Sequence, residues 1–125
     1  MKILTKKQIL LLHNELILEF GGITGIRDEG LLDSAINAPF QSFGGEELYP
    51  TLLEKAARLG YGIISNHPFF DGNKRTGTHV MLVFLNINGV YLNYDDIDLI
   101  NIILSVDSGN MTENQLLLWI QNHIE

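Results

Sequence analysis

His67-Pro68-Phe69-Phe70-Asp71-Gly72-Asn73-Lys74-Arg75 brings an imidazole, a carboxylate, an amide and two cations together between two stretches that read as helices. Pro68 breaks the preceding helix, because the residue before a proline is pushed out of the helical region. Asn73 opens the next helix, so unpaired backbone N–H groups and the positive end of the dipole face the loop. His67 can accept a proton near neutral pH. Asp71 is a hard oxygen ligand suited to Mg²⁺, and Gly72 lets a ligand come close to the backbone. Lys74 and Arg75 work against the dipole at that helix end by about 0.3–1 kcal/mol each, and an anion held between them reverses the sign. Taken singly these residues are bland: a loop histidine, an Asp-Gly turn, a solvated Lys-Arg pair. Together at one helix start, they suit a metal-bound polyphosphate, with His67 left to act on an acceptor.

Outward from this stretch the spacing predicts helices throughout. Residues 5–20 form the clearest one. Thr5 and Gln8 fit a capping box, Ile9, Leu12, Leu16 and Phe20 follow helical spacing, and Gly21-Gly22 ends it. A second helix runs from Asp28, an N-cap, to Ala38, and Pro39 stops it. Residues 40–49 are irregular, with Gly44-Gly45 placed to turn a hairpin. Pro50 suits the first turn of a third helix, carrying Leu53, Ala57, Tyr61 and Ile64. The fourth, residues 73–88, is apolar nearly all round through Val80, Met81, Val83, Phe84, Leu85 and Ile87, which predicts a central position. Asp95 or Asp96 caps a fifth. Thr112 and Gln115 box a sixth, whose Leu116, Trp119, Ile120 and His123 share a face. Phe69 and Phe70 read as core anchors of the loop. His13, His79 and His123 read as satisfied helix histidines. Arg27 reads as a surface residue or an ion pair with Asp28 or Glu29. The expectation is an all-α bundle of about six helices, one domain over residues 1–125, with a short hairpin.

The 125 residues carry 8 Lys or Arg against 15 Asp or Glu, a net charge of −7. That excess argues against direct binding to nucleic acid, which needs a basic face. No Lys or Arg follows Arg75, so Lys74 and Arg75 end the chain's basic residues beside the loop. With no cysteine, disulfides, thiolate metal sites and a Cys nucleophile are excluded. The N-terminus lacks the apolar run of a signal peptide, and no stretch is long and apolar enough for a bilayer. A cytoplasmic protein without membrane association is the expectation.

The central stretch resembles the motif of the Fic/Doc (Fido) family, His-x-Phe-x-Asp/Glu-Gly-Asn-Gly/Lys-Arg. It matches at His67, Phe69, Asp71, Gly72, Asn73, Lys74 and Arg75. Residues 21–28, 47–50 and 84–89 resemble the death-on-curing branch of that family. The resemblance implies a Fido helical bundle and a toxin of a toxin–antitoxin pair, which moves part of a nucleoside triphosphate such as ATP onto a protein hydroxyl. By that analogy His67 deprotonates the acceptor, Asp71 holds Mg²⁺, and Gly72, Asn73, Lys74 and Arg75 hold the phosphates. The irregular 40–49 stretch is then the flap that pins the target chain by strand-like pairing. Two departures bear on the chemistry. Adenylyl-transferring members carry Gly where Lys74 stands, and a second Arg where Thr78 stands. The death-on-curing branch shares the lysine and is associated with phosphoryl transfer to elongation factor Tu. A kinase-like toxin is therefore preferred to an AMP transferase or a degenerate Fido binding module. The family's self-inhibitory motif, Ser/Thr-x-x-x-Glu-Gly/Asn, is matched at neither Glu29-Gly30 nor Glu113-Asn114. Inhibition is thus expected from a separate antitoxin segment in a groove near the site.

Overall fold

The computed structural model describes residues 1–125. Six helices follow in order: α1 (Lys6–Phe20), α2 (Glu29–Asn37), α3 (Leu52–Asn66), α4 (Asn73–Ile87), α5 (Asp96–Asp107) and α6 (Glu113–Asn122). Between α2 and α3 lie a 3-10 turn (Ala38–Phe40) and two short strands, β1 (Ser42–Phe43) and β2 (Glu46–Glu47). The fold is the all-α bundle with a hairpin flap that the sequence predicts.

Local chemistry sets most of these boundaries. Thr5 and Thr112 each accept from the N–H three residues on, and Gln8 and Gln115 reach back to the cap N–H. Asp28 caps α2 by accepting from Leu31 N–H. The third helix starts about two residues later than the sequence expectation. Pro50 lies outside it, and Thr51 is the cap, accepting from Glu54 N–H. In the flap Ser42 faces Glu47 and Phe43 faces Glu46 in an antiparallel pair. Gly44 (φ 59°) and Gly45 (φ 84°) both take the positive φ that a two-residue hairpin turn requires. The base of this exposed hairpin is tied to the core by Lys55 of α3. Its buried ammonium donates to Tyr49 O and pairs with Glu47 at 3.0 Å.

Packing reassigns the centre of the bundle. It is α3, which packs against α2, α4, α5, α6 and the 3-10 turn. The predicted central helix, α4, lies along it, with Val83 only half-buried and Ile87 exposed at its end. Small residues permit this close approach. A Cβ on Gly77 of α4 would lie 2.6 Å from Ile64 Cγ1 and 3.1 Å from Gly60 O, both on α3. On α1 the buried stripe is Ile9, His13 and Ile17. Leu12 and Leu16 flank it half-buried and Phe20 is exposed, a rotation of the helix relative to the sequence expectation. Helix α1 packs chiefly on α4 and meets α2 through ion pairs of Lys6 with Glu29 and Asp33, so only a narrow stripe is covered. Phe69 belongs to the core, whereas Phe70 is 54% exposed and anchors nothing there. No helix is long and apolar enough to cross a membrane.

Candidate active site

Helix α3 ends at His67, which adopts the left-handed conformation (φ 48°, ψ 55°) and is the one non-glycine residue with positive φ. Such a backbone costs about 1–3 kcal/mol and persists where its surroundings hold it. Arg27 does the holding. Its guanidinium donates to His67 O at 2.7 Å and to Asn66 O at 3.0 Å. A cation at a helix C-terminus is also favoured by the dipole. Arg27 is thus a surface residue, as expected, but instead of pairing with Asp28 or Glu29 it pins the motif loop. Its segment is laced to the motif loop. Arg27 and Asp28 N–H donate to Pro68 O at 2.7 and 3.0 Å, and Phe70 N–H donates to Gly25 O at 3.3 Å.

Under the loop, the buried Phe69 ring stacks on His13 with centroids 3.8 Å apart and planes 8° off parallel. His13 Nε2 lies 2.8 Å from Asp71 O, and since a carbonyl only accepts, that nitrogen carries the proton. The histidine is satisfied, as expected, but its bond fixes the backbone of Asp71. The Asp71 carboxylate is aimed by a second bond, Oδ2 accepting from Ile23 N–H at 2.6 Å. Asn73 closes the loop with both ends of its amide. Phe69 N–H donates to Oδ1 at 2.9 Å and Nδ2 donates to Phe69 O at 3.0 Å. With its side chain so engaged, what Asn73 offers a phosphate is its main-chain N–H.

Gly72 (φ 79°, ψ 18°) caps α4 with no side chain to bond the first turn. The leading N–H groups therefore lack an intrahelical partner, and their residues line a cleft. That cleft has a volume of about 520 Å³. Gly72, Asn73, Lys74, Arg75 and Thr78 line one end of it, and Leu16, Phe20, Leu99 and Leu104 supply apolar wall. His67 and Asp71, on the loop, do not line it. Arg75 lies 3.9 Å above the Phe20 ring, a cation–π contact.

The residue that sequence reasoning missed is Asp107, the last residue of α5. Its Oδ1 lies 2.7 Å from His67 Nε2 and its Oδ2 lies 3.6 Å from Lys74 Nζ. One carboxylate thus bridges the two side chains assigned to proton transfer and phosphate binding. A signal existed in the sequence. An acid at a helix C-terminus, with no basic residue in the last turn, opposes the dipole and needs a partner elsewhere.

The hydrogen bond with His67, helped by the charge of Lys74, holds the Asp107 carboxyl below its ordinary value of 3.8. A carboxyl whose pKa is depressed on folding adds stability above its unfolded pKa and loses it as pH falls through the folded one. The stability difference between wild type and Asp107→Asn should therefore be constant near neutrality and shrink below about pH 4. Urea denaturation at a series of pH values measures it, and a difference unchanged into acid would contradict the linkage.

The donor set suits a particular kind of cation. No cluster of three or more His, Asp or Glu side chains can hold a metal by itself. Asp71 has Oδ2 engaged by Ile23 and Oδ1 open. One open carboxylate beside a phosphate-sized anion site fits an ion that takes its other oxygens from water and phosphate, as Mg²⁺ does.

An all-helical bundle that presents this histidine-to-arginine loop at the start of a helix packed on its central one is the architecture of the Fido class. A family model described as Fic/DOC family matches residues 3–85. The chain is 46% identical over 80 residues to the Toxin Doc of Mycolicibacterium smegmatis, covering 63% of this chain and 62% of that one. It is 28% identical over 112 residues to the Protein kinase doc of Escherichia phage P1, covering 90% of this chain and 87% of that one. The first match spans less than two thirds of the relative's length. The chain belongs to the Fic/Doc family.

Proposed function

We propose that this chain, acting as one Fido unit over residues 1–125 in the cytoplasm, is the toxin of a toxin–antitoxin pair. It transfers a phosphoryl group from a Mg²⁺-bound nucleoside triphosphate to a Ser or Thr hydroxyl of a protein, with elongation factor Tu the acceptor by resemblance. The observation that carries this reading is the link from the His67 ring through Asp107 to Lys74 at the uncapped, cleft-lining start of α4, with Asp71 one residue before that cap.

In this reading His67 takes the proton of the acceptor hydroxyl. The hydroxyl oxygen bonds the γ-phosphorus, the bond from that phosphorus to the bridging oxygen breaks, and a nucleoside diphosphate leaves. Main-chain N–H groups of residues 73–75, with Lys74 and Arg75, orient and neutralise the phosphates. Asp71 would hold Mg²⁺, whose bound charge offsets that of the phosphate oxygens. Such catalysis is mostly positioning and charge stabilisation. The absence of a guanidinium at Thr78, whose hydroxyl donates to Lys74 O at 2.7 Å, favours the γ- over the α-phosphorus as the reacting centre. The names of the two relatives, a toxin and a protein kinase, support the same choice. The apolar wall of the cleft suits an antitoxin segment laid beside the phosphate end as a helix in a groove.

Incubation with cell extract and ATP labelled at the γ or the α position tests this. Protein label from the γ position alone is the expected result. Label from α alone overturns it in favour of AMP transfer. No protein label from either source favours a binding module.

A further inference from the structure

We propose that Asp107 is a positioning residue for the reaction. It holds the proton of the His67 ring on Nε2 and turns Nδ1 outward as the atom that receives the acceptor's proton. The proposal rests on the transferase reading above, and begins from the 2.7 Å contact between His67 Nε2 and Asp107 Oδ1. That length is typical of a charge-assisted hydrogen bond. A carboxylate is acceptor-only, so the bonded nitrogen is the one bearing hydrogen. In the neutral ring the lone pair is then left on Nδ1.

The surroundings leave Asp107 in control of the ring. Arg27 fixes the main chain of His67 through two carbonyls, so only side-chain rotation remains free. The imidazole is about half-exposed, and its one hydrogen bond is to Asp107. The carboxylate is itself steadied by Lys74 on the far oxygen, at 3.6 Å. The acid lies at the dipole's unfavourable end of α5, so local helix energetics do not account for it. An exposed ion pair contributes only about 0–1 kcal/mol to folding, so a stability role does not account for it either.

The full-length chain labelled with ¹⁵N is compared as wild type, Asp107→Asn and Asp107→Ala. Long-range ¹H–¹⁵N spectra report which ring nitrogen of His67 carries hydrogen. The expected result is protonation on Nε2 in wild type and in Asp107→Asn, whose amide oxygen can still accept. In Asp107→Ala the preference is lost. With it kcat falls by about 10- to 100-fold, less than the roughly 10²- to 10⁴-fold that a general base contributes because the base itself remains, while KM for ATP changes by less than about twofold. Asp107→Asn lies between the two. Hydrogen on Nδ1 in wild type, an unchanged spectrum in Asp107→Ala, or a rise in KM without loss of kcat overturns the proposal. If Asp107→Ala does not fold, the wild-type and Asp107→Asn tautomers still decide. If wild type transfers no label yet its ring differs from that of Asp107→Ala as expected, the transferase reading falls and only the control of the tautomer by Asp107 stands. Label transfer at equal kcat in wild type and Asp107→Ala does the opposite.

Discussion

His67→Ala is expected to lower phosphoryl transfer by about 10²- to 10⁴-fold, the range a positioned general base contributes, and to leave folding nearly untouched. The two effects separate because the ring makes its one hydrogen bond at the surface, to Asp107. Removing an exposed side chain without a packing role changes stability by about 0.5 kcal/mol or less. The backbone adds a sharper comparison. At φ 48° an alanine remains strained whereas a glycine does not, so His67→Gly should be more stable than His67→Ala by about 1 kcal/mol. Both variants should be equally inactive. Residual label transfer near the wild-type rate in either one removes His67 from the chemistry. A large loss of Tm in both would mean that the ring supports the fold.

Phe69→Ala should have the largest effect on stability, about 3–5 kcal/mol, as expected for a large aromatic lost from a closed core. Since domains of this size are stable by only about 5–15 kcal/mol, the variant should be marginal at ambient temperature. The ring is 1% exposed, stacks on His13, and lies in the segment whose main chain is braced by Asn73 and bridged to Ile26. Its removal opens a cavity and frees His13, which orients the Asp71 backbone. Phe70→Ala is the control: the same residue type one position on, 54% exposed, should cost less than about 1 kcal/mol. Denaturant midpoints of the two variants measure the contrast, and equal midpoints would contradict the assignment of Phe69 alone to the core.

Residue type does not distinguish Phe69 from Phe70. The difference arises because the chain leaves α3 through a left-handed His67, which sets which face of the loop turns inward. The same limit explains α1. Its length and both caps follow from Thr5, Gln8 and Gly21, but its helical spacing permits either of two adjoining stripes, and contact with α4 selects Ile9, His13 and Ile17. Likewise the apolar surface of α4 suggested the bundle's centre, yet the short side chains of α3, among them Ala56, Ala57, Gly60 and Gly62, let more helices reach α3 than α4.

The sequence alone determined the six helices, the hairpin turn at Gly44-Gly45 and the placing of His67, Asp71, Lys74 and Arg75 around a helix start. Each of these depends on interactions between residues a few positions apart, and caps, turns and helical periodicity are written at that range. Only the tertiary structure decided what holds the site. Arg27 reaches the His67 carbonyl, and Asp107 reaches the His67 ring, each across 40 positions of chain. His13 meets Asp71 across 58. A hydrogen bond at such separation requires a donor and an acceptor to meet at about 3 Å. Which residues do so is set by how α1, α3, α4 and α5 pack, and that geometry has no local signature in the chain.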